Sequence, residues 1–252
     1  KGFNEKLFPY LFKEANKRKP LEEITLDQDA TFIYSNAEGA LYNYEGKSSF
    51  EALNLYCPEY DVLLQSEFRD GNVNPGYGQL GQLQKALSLL PEGITKVKLR
   101  SDSAGYQKEL LKFCAEGKDE RFGVIDFAIS CPVGKEFKEA VKAVPSVEWK
   151  PLSKGQEWAE ISYAPNSLST SRKGGIYRFL AIREPFKGKL LEEKIEDGQL
   201  FIEEVLEDIL AEKESLKQLH LTSVNGSIYK VFGIVTNIPE EDGGEIIDWN
   251  RG

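Results

Sequence analysis

Val97-Lys98-Leu99-Arg100-Ser101-Asp102-Ser103-Ala104-Gly105-Tyr106 is a short alternating run that ends on a carboxylate and passes at once into small residues. Its first half predicts a strand, which places Asp102 at the strand's carboxyl end, the edge of an α/β sheet where ligands and metals collect. A second acidic strand lies upstream, Ile24-Thr25-Leu26-Asp27-Gln28-Asp29-Ala30-Thr31-Phe32-Ile33. In it Thr25, Asp27, Asp29, Thr31 and Ile33 share one face by the period of two. Taken alone, Asp102 before Ser103-Ala104-Gly105 reads first as a cap or turn former. Asp29, set within an apolar strand, reads as a buried acid that needs a partner.

The elements follow outward from these two strands. Phe3, Leu7, Leu11 and Phe12 predict a helix over 3–17, and Pro20 separates it from a strand at 24–34. Strands at 49–57 and 62–68, joined by Pro58-Glu59-Tyr60-Asp61, make a hairpin. Leucines from Leu80 to Leu90 repeat at helical spacing until Pro91 and Gly93. A strand at 96–100, a helix around Leu110 to Cys114, a strand at 122–130 and a helix around Phe137 to Val144 complete the series. The order β-β-β-α-β-α-β-α, an antiparallel meander followed by αβ units, is that of the ribonuclease H-like mixed sheet. In that fold the first and fourth strands are neighbours, so Asp29 and Asp102 are expected to face each other, with Asp27 the rival for the first position.

After Pro145 the composition turns β-rich, with strands predicted at 158–163 and 176–183. An amphipathic helix is predicted between Ile202 and Leu216, a final strand at 229–235 and the start of a helix at 243–249. The expected division is a helical segment over 1–23, a catalytic core over 24–145, a β-rich insertion with an acidic helix over 146–227, and a return strand with the beginning of a last helix over 228–252.

Composition narrows the chemistry. His220 is the single histidine of 252 residues, so the usual histidine-based serine or cysteine nucleophile is disfavoured. Cys57, Cys114 and Cys131 are widely spaced and read as buried thiols in a reducing compartment. No apolar run reaches membrane-spanning length, and the expected location is the cytoplasm. The net charge of −9 is local: Glu192 to Glu214 holds ten acids and two lysines, and the rest of the chain is near neutral. A phosphate-binding face elsewhere remains open. Paired carboxylates at strand ends suit Mg²⁺ or Mn²⁺, hard cations that prefer oxygen, and two such ions can serve in-line phosphoryl displacement. Asn74-Pro75-Gly76-Tyr77-Gly78 lacks a Walker lysine and reads as a plain loop, and Ser171-Arg172-Lys173-Gly174-Gly175 as a hairpin tip. Arg69, Lys98 and Arg100, near the strand ends, are the candidates for contact with DNA phosphates.

Two longer stretches carry a family likeness. Ser66-Glu67-Phe68-Arg69-Asp70-Gly71-Asn72-Val73 and Leu99-Arg100-Ser101-Asp102-Ser103-Ala104-Gly105-Tyr106 closely resemble the DDE transposases of bacterial insertion sequences. Asp29-Ala30-Thr31 looks like their first-acid strand, and Phe232-Gly233-Ile234-Val235-Thr236-Asn237 like the strand before their last catalytic helix. The resemblance implies Asp29 and Asp102 as catalytic, metal-binding acids, a two-metal site, cleavage at transposon ends and strand transfer into target DNA. It also implies a dimer in the DNA complex and a nucleoid-associated location. In that family a third acid, a glutamate, follows a Trp-x-Arg stretch. Here Trp249-Asn250-Arg251 matches it and is followed by Gly252, while Glu240, Glu241 and Glu245 precede it. The expectation is therefore two acids of three and an inactive fragment, with another ribonuclease H-like nuclease or a non-catalytic DNA- or protein-binding relic of a transposase as the alternatives.

Overall fold

The computed structural model describes residues 4–165, 168, 176–186, 220–224, 226–239 and 241–252. The chain divides into two compact units, Lys1–Ser130 and Cys131–Gly252.

In the first unit, α1 (Asn4–Arg18) leads into β1 (Glu23–Tyr34), β2 (Leu41–Tyr42), β3 (Ser48–Cys57) and β4 (Val62–Asp70). There follow α2 (Gln79–Leu89), β5 (Lys96–Ser101), α3 (Lys108–Ala115) and β6 (Asp126–Cys131). The strands form a mixed sheet in the order β4-β3-β1-β5-β6, with β2 added to β3. β4, β3 and β1 are antiparallel, whereas β1, β5 and β6 are parallel. Tight turns suffice for the first set, but parallel neighbours need the crossovers that α2 and α3 supply. Ile24, Leu26, Leu53, Leu55, Leu99 and Phe127 are fully buried, as are Leu83 of α2 and Leu110 and Leu111 of α3. The sheet is thus covered by helices that carry the leucines of the sequence pattern.

The strand predicted at 122–130 begins only at Asp126. The residues before it form a turn in which Asp119 accepts the amides of Arg121 and Phe122. There Arg121 donates to the carbonyls of Leu90, Pro91 and Ile94. Capping at Asp119 outcompetes strand pairing over this stretch. β2 has only two residues and shows no alternation to read.

The second unit contains α4 (Lys135–Lys142), β7 (Lys150–Pro151), β8 (Glu157–Ile161), β9 (Arg178–Pro185), β10 (Leu221–Val224), β11 (Ser227–Thr236) and α5 (Gly243–Arg251). Its strands run antiparallel in the order β7-β8-β9-β11-β10. β10 is another short strand that the sequence pattern does not reveal. Two glycine sites explain otherwise unusual choices. A Cβ on Gly233, within β11, would stand 2.6 Å from the Phe137 ring and 2.7 Å from Cys131 Sγ. A Cβ on Gly243, at the start of α5, would stand 2.2 Å from the Trp158 ring. In both places only glycine permits the close approach. The predicted acidic helix of 202–216, the tip at 171–175 and Glu240 lie outside the described residues.

Candidate active site

The parallel register of β1 and β5 pairs Asp27 with Arg100 and Gln28 with Ser101. The next residue on each strand is Asp29 and Asp102. The register is held by a buried bond, Ser101 Oγ donating to Gln28 O at 2.8 Å. Beyond Ser101 the chain makes a 3₁₀ turn over Ser103–Gly105. A Cβ on Gly105 would lie 2.5 Å from Ser101 Oγ, so the glycine lets the turn fold back on the strand end. The Ser-Asp-Ser-Ala-Gly stretch is thereby accounted for: Ser101 locks the register, Asp102 caps and Gly105 clears space.

Asp102 is the cap that its position before Ser103-Ala104-Gly105 suggests. Its Oδ1 accepts the Ala104 amide at 2.9 Å, which is the cap. Its carboxyl also sits above the usual carboxylate range, chiefly because the surrounding protein desolvates it. The Ala104 and Gly105 amides oppose that shift, and the negative charge of Asp29 adds to it. Asp29 accepts the Thr31 hydroxyl and is exposed, so it is a solvent-facing acid rather than the buried one its apolar strand suggests.

Asp27 is half-buried, and its carboxylate pairs with Arg100 Nη2 at 2.9 Å. That ion pair neutralises it one step inward along the same face. Gln28 points the opposite way, where its Nε2 donates to Gln79 O at 2.9 Å and Gln82 Oε1 at 3.0 Å. Gln82 in turn donates to Leu53 O at 2.6 Å. The position of Asp29 is thus set from beneath by a buried amide network joining β1, β3 and α2.

The three cations nominated for phosphate contact stand differently. Arg69 is a correction: it is buried, and its guanidinium donates to the buried Glu51 and to Tyr77 O. It ties β3 to β4 and to the loop before α2, and is not presented to a phosphate. Lys98 is largely covered and pairs with Glu23 at 3.1 Å. Arg100 is covered and engaged by Asp27.

Glu51 was not nominated by sequence reasoning. Burial raises its carboxyl and the Arg69 guanidinium pulls it back down. The alternation of β3 held a signal, since Glu51 shares its face with Leu53, Leu55 and Cys57.

Two carboxylates, Asp29 within β1 and Asp102 just past the end of β5, one raised in part by the other, form a hard-oxygen donor pair whose repulsion a divalent cation would relieve. The donor chemistry fits Mg²⁺ or Mn²⁺. Among the described residues no third histidine, cysteine or acid joins them in one cluster.

The family described as transposase DDE domain group 1 matches residues 5–176. No curated protein matches the chain. Among solved structures, it is similar to a piggyBac transposase in a cryo-EM synaptic complex with hairpin DNA. The identity is 9% and the TM-score 0.46, over 92% of this chain and 38% of that one. The chain therefore spans well under half the length of that protein.

Proposed function

The chain belongs to the transposase DDE domain group 1 family, and on that premise we propose that it supplies the metal-holding acids of a DNA transposase. Asp29 and Asp102 are the first and second acids, and Asp27 belongs to the scaffold through Arg100. The substrates are the phosphodiesters of transposon ends and, for strand transfer, of target DNA. Bound Mg²⁺ or Mn²⁺ would supply charge neutralisation at the scissile phosphate and a more acidic water or hydroxyl. The chain's own residues hold and orient the carboxylates: Ser101 and the Gln28 network fix the strands, and the Ala104 amide fixes Asp102.

The strand order β4-β3-β1-β5-β6 supports the ribonuclease H-like reading. The observation that carries the proposal is that Asp29 and Asp102 each follow the last residue of the β1–β5 parallel pairing, with the charge of one felt by the other. The proposed setting is a bacterial cytoplasm, with a dimer acting on DNA. Among the described residues no helix is long and apolar enough to cross a membrane.

The test is a cleavage and strand-transfer assay in the complete transposase. Asp29→Asn and Asp102→Asn are each expected to reduce both steps to the level seen without protein. Full-rate cleavage by either variant removes that residue from the site. Cleavage without any joined product from the unmodified protein would instead indicate a nuclease of the same fold.

A further inference from the structure

The second unit carries a cationic groove of about 330 Å³ between α4 and β10. Lys135, Lys138 and Lys142 line one wall, with Glu139 among them, and Leu221, Thr222 and Ser223 line the other. The three lysines stand at i, i+3 and i+7, on one face of the helix. Lys138 Nζ donates to Leu221 O at 2.9 Å and so bridges helix to strand. Lys142 pairs with Glu139 at 3.2 Å, both side chains being well exposed. Such a surface pair exchanges partners at little cost. Lys135 is exposed and has no ion pair among the described residues.

Four further observations bear on what this groove would accept. The Lys138 ammonium lies below the ordinary lysine range, first through burial and then through the charge of Lys142. His220, next to Leu221, is lowered by burial and by Lys138. Behind the groove Thr222 is 2% exposed, and its hydroxyl has no partner among the described residues. The first turn of α4 opens on Gly134 with no side-chain cap, so its amide end adds to the same field.

We propose that this groove binds backbone phosphates of duplex DNA, a second DNA contact carried by the second unit; the proposal rests on the transposase reading. From Lys135 to Lys142 the helix rises by seven residue steps, roughly 10 Å. That spread suits successive phosphates of a strand better than one compact free anion.

The experiment is a salt series of duplex binding, read by fluorescence anisotropy with a labelled duplex of arbitrary sequence. It compares the unmodified protein with a Lys135→Gln/Lys142→Gln variant, which leaves the Lys138 bond to Leu221 in place. Each lost phosphate contact lowers the log–log salt slope by about one, so a fall of about two is expected. A Lys135→Arg/Lys142→Arg variant is expected to restore the slope, and the melting temperature of all three proteins to agree. An unchanged slope in the glutamine variant, with normal duplex binding by the unmodified protein, overturns the groove alone. Displacement of a free anion such as inorganic phosphate with no change in duplex affinity also overturns it. If the unmodified protein binds no duplex even at low salt, both the groove and the transposase reading fail.

Discussion

Asp102 is a cap and, in the proposed function, also a metal ligand, and the two roles differ in what they do to stability. As a cap it accepts the Ala104 amide, a bond that asparagine can also accept. As an anion it stands in a desolvated place beside Asp29, which raises its carboxyl pKa. The native state therefore holds the Asp102 proton more tightly than the unfolded chain does. The stability this contributes is full below the unfolded pKa of about 3.9 and is lost as pH rises through the higher native value. At neutral pH without a divalent cation the charged form is a burden on the fold. Asp102→Asn is thus expected to raise the unfolding free energy at pH 7 by a few tenths of a kcal/mol, the site being open to solvent screening. The gain should shrink toward pH 3. Urea titrations at the two pH values measure it, and a variant less stable than the parent at pH 7 would show that the cap, not the charge, decides the energetics.

At the level of elements, Arg69 makes the strongest claim. It joins β3 and β4 through Glu51, its direct partner in the register, and reaches Tyr77 O ahead of α2. Removing one member of a buried pair leaves the other charge uncompensated, so Arg69→Met is expected to lose about 3–5 kcal/mol. Adding Glu51→Leu should recover much of that loss, because the stranded carboxylate is gone. A single variant within 1 kcal/mol of the parent, by the scale of that penalty, would show that Glu51 is neutral in the fold.

The same residue shows what the sequence can and cannot tell. The hydrophobic periods of β1, β3, β5, α2 and α3 read directly because each buries one regular face. The end of β5 reads because an acid closes an apolar run. Arg69 misled because a cation near a strand end looks alike whether it meets phosphate or a buried glutamate eighteen residues away in sequence. Asp29 misled on burial for a related reason: apolar neighbours on a strand say nothing of whether the second face is covered. β2 and β10 are too short for any period to show, and the start of β6 was hidden by the Asp119 turn and by the long-range bonds of Arg121 to the segment that follows α2. Pairing partners distant in sequence are the common cause.

For the whole molecule the telling quantity is where charge lies. The chain carries −9, yet most of it falls between Glu192 and Glu214, while the carboxylate pair contributes only two charges at a fixed place on the sheet. A divalent cation therefore has two ways to stabilise this protein, by screening the acidic stretch or by joining Asp29 and Asp102. Global stability separates them. A site that binds only the native state adds RT ln(1 + [L]/Kd), about 1.4 kcal/mol at ten times Kd. For a chain of this size that is a Tm rise of roughly 3–5 °C. Mn²⁺ is expected to produce such a saturable rise over Na⁺ at equal ionic strength. In an Asp29→Asn/Asp102→Asn variant the acidic stretch is intact, so any screening effect persists while the saturable part disappears. Amide exchange supplies the location: slowing should concentrate around Asp29 in β1, at the end of β5 and in the Ser103–Gly105 turn. An equal Mn²⁺ shift in parent and double variant would assign the effect to the acidic stretch and leave the pair without a metal.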